Sequence, residues 1–120
     1  MSLNLSLPVL VVDDHPTMVS IVSDVLRQIG FENIDGARDG NAALKKLTSK
    51  NYGLVISDDE MSPMSGGDLL RKIRANPRLS ATPFLMLTAR DRAVDQPCAT
   101  IAKPFNAQML HRQLSAVLSR

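Results

Sequence analysis

Short apolar runs alternate along this chain with longer stretches of mixed polarity, and the two patterns predict strands and helices in turn. Leu7 to Val12 is nearly continuous in apolar residues and stops abruptly at Asp13-Asp14. A run of that kind is a strand buried on both faces, as in a parallel sheet. Pro16-Thr17 opens a stretch with apolar residues at Met18, Ile21, Val22, Val25, Leu26 and Ile29, one face of a helix, and Gly30 supplies its stop. Phe31 to Ala37 is a weaker second strand. Asp39-Gly40-Asn41 is a turn, and Ala42 to Leu47 is a short helix with Ala43, Leu44 and Leu47 inward. Tyr52 to Ser57 is a third strand, and it also ends in acid, at Asp58-Asp59-Glu60. A loop with Pro63 and Gly66-Gly67 leads to a helix through Leu69, Leu70 and Ile73 to about Ala75, broken by Asn76-Pro77. Pro83 to Leu87 is a fourth strand ending at Thr88, and Ala99 to Ala102 a fifth ending at Lys103-Pro104. Asn106 caps a last helix with Met109, Leu110, Leu114 and Val117 on one side.

Strand–helix alternation of this depth predicts an α/β fold: a five-stranded parallel sheet, doubly wound, with helices on both faces. The 120 residues fit a single domain, 1–120, with no internal repeat. Ligands in such sheets bind beyond the carboxyl ends of the strands, so the polar residues that end the runs are the place to look. Composition changes this picture little. Aromatic residues are only 3% of the chain and Trp is absent, so the core rests on aliphatic side chains and Met. The net charge of +2 comes from scattered basic residues with no aromatic interleaving, which argues against a nucleic-acid surface. The single cysteine, Cys98, rules out an intrachain disulfide and suits a reducing compartment. No apolar run approaches the ~20 residues needed to cross a bilayer. A cytoplasmic protein without a membrane or nucleic-acid partner is therefore expected.

The strand ends carry chemistry. A parallel sheet brings Asp13 and Asp14 of the first strand, Asp58 of the third, Thr88 of the fourth and Lys103 of the fifth to one edge. Uncompensated carboxylates at such close quarters raise one another's pKa. A hard divalent cation removes that problem, and Mg²⁺ suits one or two carboxylates with waters and phosphate oxygens. Lys103 adds a fixed positive charge and Thr88 a hydroxyl donor. A carboxylate so supported can attack phosphorus and form an acyl phosphate.

The runs Val9-Leu10-Val11-Val12-Asp13-Asp14, Val55-Ile56-Ser57-Asp58, Met86-Leu87-Thr88-Ala89 and Lys103-Pro104-Phe105 together resemble the response-regulator receiver family, most of all its chemotaxis regulators of the CheY kind. The resemblance extends from about Leu7 to the C-terminus and implies a flavodoxin-like (CheY-like) fold. It also implies roles. Asp58 is the expected phosphoacceptor. Asp14 is expected to hold Mg²⁺ directly, Asp13 mainly through water, and Glu60 through its backbone carbonyl, so the expected metal set is Asp13, Asp14, Asp58 and Glu60. Thr88 is expected to bond the phosphoryl oxygen and Lys103 to pair with it. The implied donor is a sensor histidine kinase, a phosphotransfer protein or a small phosphodonor, and the implied output is a protein partner, unnamed by the sequence. The domain is then no enzyme with an external substrate. It only accepts and loses its own phosphoryl group, and it is either free-standing or part of a longer regulator.

Three features depart from the family pattern. Fifteen positions separate Thr88 from Lys103, roughly two helical turns fewer than the family has, so the fourth helix is expected to be shortened or missing across Arg90 to Pro97. The position three before the lysine, where the family carries a switch aromatic, is Thr100. Glu60 places an acid two residues after the acceptor, with the loop proline one position later than usual. The shortened fourth region and the missing aromatic favour an alternative reading as a receiver-fold interaction scaffold that works without phosphorylation, while Glu60 is expected to affect the rate of dephosphorylation. An aspartyl phosphatase fits poorly, because Asp13 and Asp14 are adjacent where such enzymes space two aspartates one residue apart. A flavin-binding protein fits poorly too, since no Ser/Thr/Gly-rich phosphate loop follows the first strand.

Overall fold

The computed structural model describes residues 3–89 and 98–118. It contains β1 (Val9–Val12), α1 (Pro16–Ile29), β2 (Ile34–Ala37), α2 (Gly40–Ser49), β3 (Leu54–Asp58), α3 (Gly66–Ala75), β4 (Phe84–Thr88), β5 (Ala99–Ala102) and α4 (Ala107–Leu118). All strand pairs are parallel and the order is β2-β1-β3-β4-β5. The expected five-stranded, doubly wound sheet is what forms.

The two-residue period of the strands divides the core in two. Leu10, Val12, Val55, Phe84 and Met86 join Ala43 and Leu47 of α2 and Leu69, Leu70 and Ile73 of α3. Val9, Val11, Leu54, Ile56, Leu85, Leu87 and Ile101 join Val22 and Leu26 of α1 and Leu110, Leu114 and Val117 of α4. Each helix therefore covers one face with its apolar stripe, and the central strands are buried on both sides.

Capping chemistry fixes where the helices begin. Pro16 occupies the first turn of α1, and Gly30, at φ 123°, ends it in a conformation L side chains rarely adopt. Asp39 accepts from Ala42 N at 2.7 Å, which draws Gly40 and Asn41 into α2 where the sequence suggested a turn. Ser65 and Asp68 form a reciprocal capping box on α3. Asn106 Oδ1 accepts from Met109 N at 2.8 Å, as expected for the last helix.

Other boundaries differ from expectation. β2 starts only at Ile34, because Phe31 leaves the sheet to plug the core beside α1, 1% exposed. β3 starts at Leu54 and includes Asp58, so the acid belongs to the strand and is positioned by its ladder. Met109 lies on the outer side of α4, 38% exposed, leaving Leu110, Leu114 and Val117 as the buried stripe. Four helices are present among the described residues. The expected shortening of a helix across Arg90 to Pro97 concerns a segment outside them.

Candidate phosphoacceptor and metal site

The strand order explains how distant residues meet. β1 and β3 are neighbours at the point where the strand order reverses, where a crevice opens beyond their carboxyl ends. Asp13 extends the β1 ladder, its N–H bonding Ala37 O at 3.1 Å, and Asp58 pairs with Leu87 in register. Thr88 stands opposite Ala102, and Lys103 N donates to Thr88 O at 2.8 Å. Backbone register alone thus sets Asp13, Asp58, Thr88 and Lys103 along one edge.

Asp58 is the centre of the group. Its side chain is 5% exposed, and Lys103 Nζ donates to its Oδ1 at 2.9 Å. Among the described residues Asp58 Oδ2 accepts no hydrogen bond. Thr88 is buried beside this edge, 4% exposed, and its hydroxyl makes no hydrogen bond among the described residues. Asp14 Oδ2 accepts from Ser62 N at 3.4 Å, a long bond that ties the β1–α1 turn to the loop after β3.

Asp13 is 1% exposed. Burial pushes its carboxyl above the ordinary 3.8, and the nearby Asp58 charge adds to this, while hydrogen bonds from His15 and the Lys103 charge oppose it. Its Oδ1 accepts the His15 backbone N–H at 3.0 Å, and its buried Oδ2 has no hydrogen-bond partner among the described residues. A buried carboxylate oxygen without a partner costs free energy unless a cation or water completes it. Donor atoms of Asp13, Asp14, His15 and Asp58 all lie within 4.8 Å of one another. An oxygen-rich donor set around an uncompensated buried carboxylate fits a small divalent cation. Of the residues expected to bind metal, Asp13, Asp14 and Asp58 are brought together. The exposed Glu60 side chain stands outside this group, and the family resemblance concerns only its backbone carbonyl.

Two residues at this site escaped the sequence reading. His15 Nδ1 lies 3.2 Å from Asp13 Oδ1 and 3.0 Å from Asp14 Oδ1. Its place directly after the acid pair was the available signal. Gly66 opens α3 directly against the acceptor. A Cβ there would meet Asp58 O at 2.2 Å, Met86 Sδ at 2.7 Å and Asp59 Cα at 3.0 Å. The sequence placed Gly66-Gly67 in the loop before the helix, and only the fold shows which backbone Gly66 must approach.

Residues 9–115 match the response regulator receiver domain. The chain belongs to that family. It is 40% identical over 119 residues to the chemotaxis protein CheY of Pseudomonas aeruginosa, a match covering 93% of this chain and 96% of that protein. It is 38% identical over 125 residues to CheY-3 of Vibrio cholerae, covering 98% and 96%. Among solved structures it is similar to TrrA of Thermotoga maritima in complex with Mg(2+)-BeF, at 33% identity and a TM-score of 0.81, covering 92% of this chain and 98% of that one. This receiver domain therefore shares the CheY-like fold and two-component signalling role of its family.

Where the family carries a switch aromatic, this receiver has Thr100, exposed on β5 opposite Met86. No aromatic ring stands at that position to turn inward behind Thr88. Among the described residues, no helix is long and apolar enough to cross a membrane.

Proposed function

We propose that this receiver accepts a phosphoryl group on Asp58 and that Mg²⁺ held by Asp13, Asp14 and Asp58, with the Glu60 carbonyl, supports the transfer. The observation that carries the reading is the buried Asp58 carboxylate, gripped at Oδ1 by Lys103 and, among the described residues, unbonded at Oδ2. Oδ2 attacks phosphorus. The P–N bond of a phosphohistidine, or the P–O bond of a small acyl phosphate, breaks, and the leaving group departs with its electron pair. Lys103 keeps a positive charge against the oxygens as charge moves onto the phosphoryl group, and the Thr88 hydroxyl is free to donate to one of them. Bound Mg²⁺ would neutralise charge on the carboxylates and the transferred group. Water later attacks phosphorus, the Asp58 carboxylate leaves, and a proton passes to solvent. The domain thus acts on its own side chain and turns over no external metabolite.

The donor reading is a sensor histidine kinase or phosphotransfer protein in the cytoplasm. Beside Lys103 lies an apolar depression of about 510 Å³ lined by Met18, Ile21, Ala89, Lys103, Pro104 and Phe105. Ile21 is 47% exposed there. An apolar helix face carrying a phosphorylated imidazole would bury this collar while presenting phosphorus to Asp58. The output is a change of affinity for a downstream protein, through a population shift between two conformations. With Thr100 in the aromatic's place, the conformational readout runs through other residues.

Incubation with acetyl phosphate and Mg²⁺, followed by rapid intact-mass analysis, tests this. One added phosphoryl group in the wild type, absent from Asp58→Ala and absent without the metal, is expected. No adduct with acetyl phosphate or phosphoramidate would overturn the reading and leave a scaffold that works without phosphorylation.

A further inference from the structure

An imidazole joins the acid pair in this cleft. His15 Nδ1 stands 3.0 Å from Asp14 Oδ1 and 3.2 Å from Asp13 Oδ1. Two neighbouring ligands of an octahedral cation, each at about 2.1 Å, are themselves about 3 Å apart. The imidazole nitrogen thus stands at the spacing of an adjacent ligand from one oxygen of each carboxylate, within a donor group that spans no more than 4.8 Å. Asp13, 1% exposed and with Oδ2 unpartnered among the described residues, supplies a buried carboxylate oxygen that a cation would complete.

The backbone holds the imidazole there. His15 N donates to Asp13 Oδ1 at 3.0 Å, and Pro16 at the start of α1 restricts the residue before it. His15 sits at the N-cap of α1, but its side chain makes no capping hydrogen bond. The ring is 71% exposed, and its contacts are with the two carboxylates and not with the core or the helix cap.

Imidazole nitrogen suits first-row transition ions, whereas Mg²⁺ prefers oxygen. Resting on the reading of Asp13 and Asp14 as metal ligands, we propose that His15 Nδ1 is a further ligand in this cleft, making it a mixed nitrogen–oxygen site that favours transition cations such as Mn²⁺, Co²⁺ or Ni²⁺ beyond what its carboxylates alone would give. A phosphorylation switch of this build would respond to which divalent metal occupies it.

The test uses the full chain and four probes: Mg²⁺, Mn²⁺, Co²⁺ and Ni²⁺. Calorimetric titration compares wild type, His15→Ala, His15→Gln and Asp13→Asn, and pulsed electron paramagnetic resonance on the Mn²⁺-loaded proteins reads nitrogen coupling. Removal of the ring is expected to weaken Co²⁺ and Ni²⁺ binding at least tenfold more than it changes Mg²⁺ binding. Nitrogen coupling is expected in the wild type and absent from His15→Ala and from Asp13→Asn, which keeps the distant His111. Equal Co²⁺ and Ni²⁺ affinities in wild type and His15→Ala, or no nitrogen coupling in Mn²⁺-loaded wild type, would overturn the proposal and leave His15 a charge partner of the two carboxylates. If wild type binds none of the four ions, the metal reading of the acid pair falls with it, whereas normal Mg²⁺ binding with no effect of His15 removes only the nitrogen ligand.

Discussion

Gly66→Ala would press a methyl group into the backbone of the phosphoacceptor itself. Its Cβ would lie 2.2 Å from the Asp58 carbonyl oxygen, against the ~3.4 Å at which ordinary contact begins. The first turn of α3 must retreat by about 1 Å, or β3 must move. Met86 Sδ, 2.7 Å from the same point, can swing aside, but Asp58 O is fixed by the central strand. Gly66 N also bonds Asp59 O at 2.9 Å, so retreat strains that link. Overpacking of this sort costs typically ~1–3 kcal/mol, and contact with backbone places this case at about 2–3 kcal/mol. For a domain of this size the melting temperature would fall by roughly 10 °C. A displacement near 1 Å at a reacting group can slow reaction on the order of 100-fold, so Asp58 phosphorylation should slow at least tenfold at temperatures where the variant is folded. Urea unfolding and the time course of acyl-phosphate formation measure the two effects. Gly67→Ala, one position further into α3, is the control and should be neutral or stabilising through helix propensity. A Gly66→Ala protein within ~0.5 kcal/mol of wild type and phosphorylated at the wild-type rate would refute the steric reasoning.

Charge substitutions give the remaining tests. Lys103→Met leaves Asp58 without the cation seen at 2.9 Å and should cost about 1–2 kcal/mol in metal-free urea unfolding, the range for a charged hydrogen bond discounted for a lysine 31% exposed. Asp13→Asn should do the reverse and stabilise the metal-free protein by ~0.5–2 kcal/mol at neutral pH. Burial raises the Asp13 carboxyl above 3.8, so its charge opposes folding once pH exceeds the raised value, and the advantage of the variant should vanish below the ordinary value. Asp35 behaves oppositely. The Tyr52 hydroxyl, at 2.6 Å, and Lys50, at 3.0 Å, hold its carboxyl below 3.8. Asp35→Asn should lose up to ~1 kcal/mol at neutral pH, and the difference should close as acid titration passes through the lowered value; a pH series of melting curves reads it.

Much of this molecule was legible before any coordinates, and the reasons are local. Strands buried on both faces are continuous apolar runs, so β1, β3 and β4 stood out, and the polar residues that stop them marked the sheet edge. Parallel register then brings Asp13, Asp58, Thr88 and Lys103 together without further instruction. What escaped depends on contacts that no period encodes. Phe31 could extend a strand or plug the core, and packing against α1 decided it. Asp39-Gly40-Asn41 reads as a turn, and it is the Asp39 cap that draws Gly40 and Asn41 into α2. Met109 and Leu110 are adjacent apolar residues, and only docking of α4 chooses which one is buried. His15 and Gly66 matter through atoms brought close by tertiary structure, one to two carboxylates and the other to a strand carbonyl.

The central claim is that Asp58 itself receives the phosphoryl group. Borohydride reduction immediately after acetyl phosphate treatment converts an acyl phosphate to an alcohol, and peptide mapping then locates it. A single reduced residue at position 58, dependent on Mg²⁺ and lost in Lys103→Met or reduced in yield, is the predicted result. Reduction at Asp13, Asp14 or Asp59 with Asp58 intact would contradict the account.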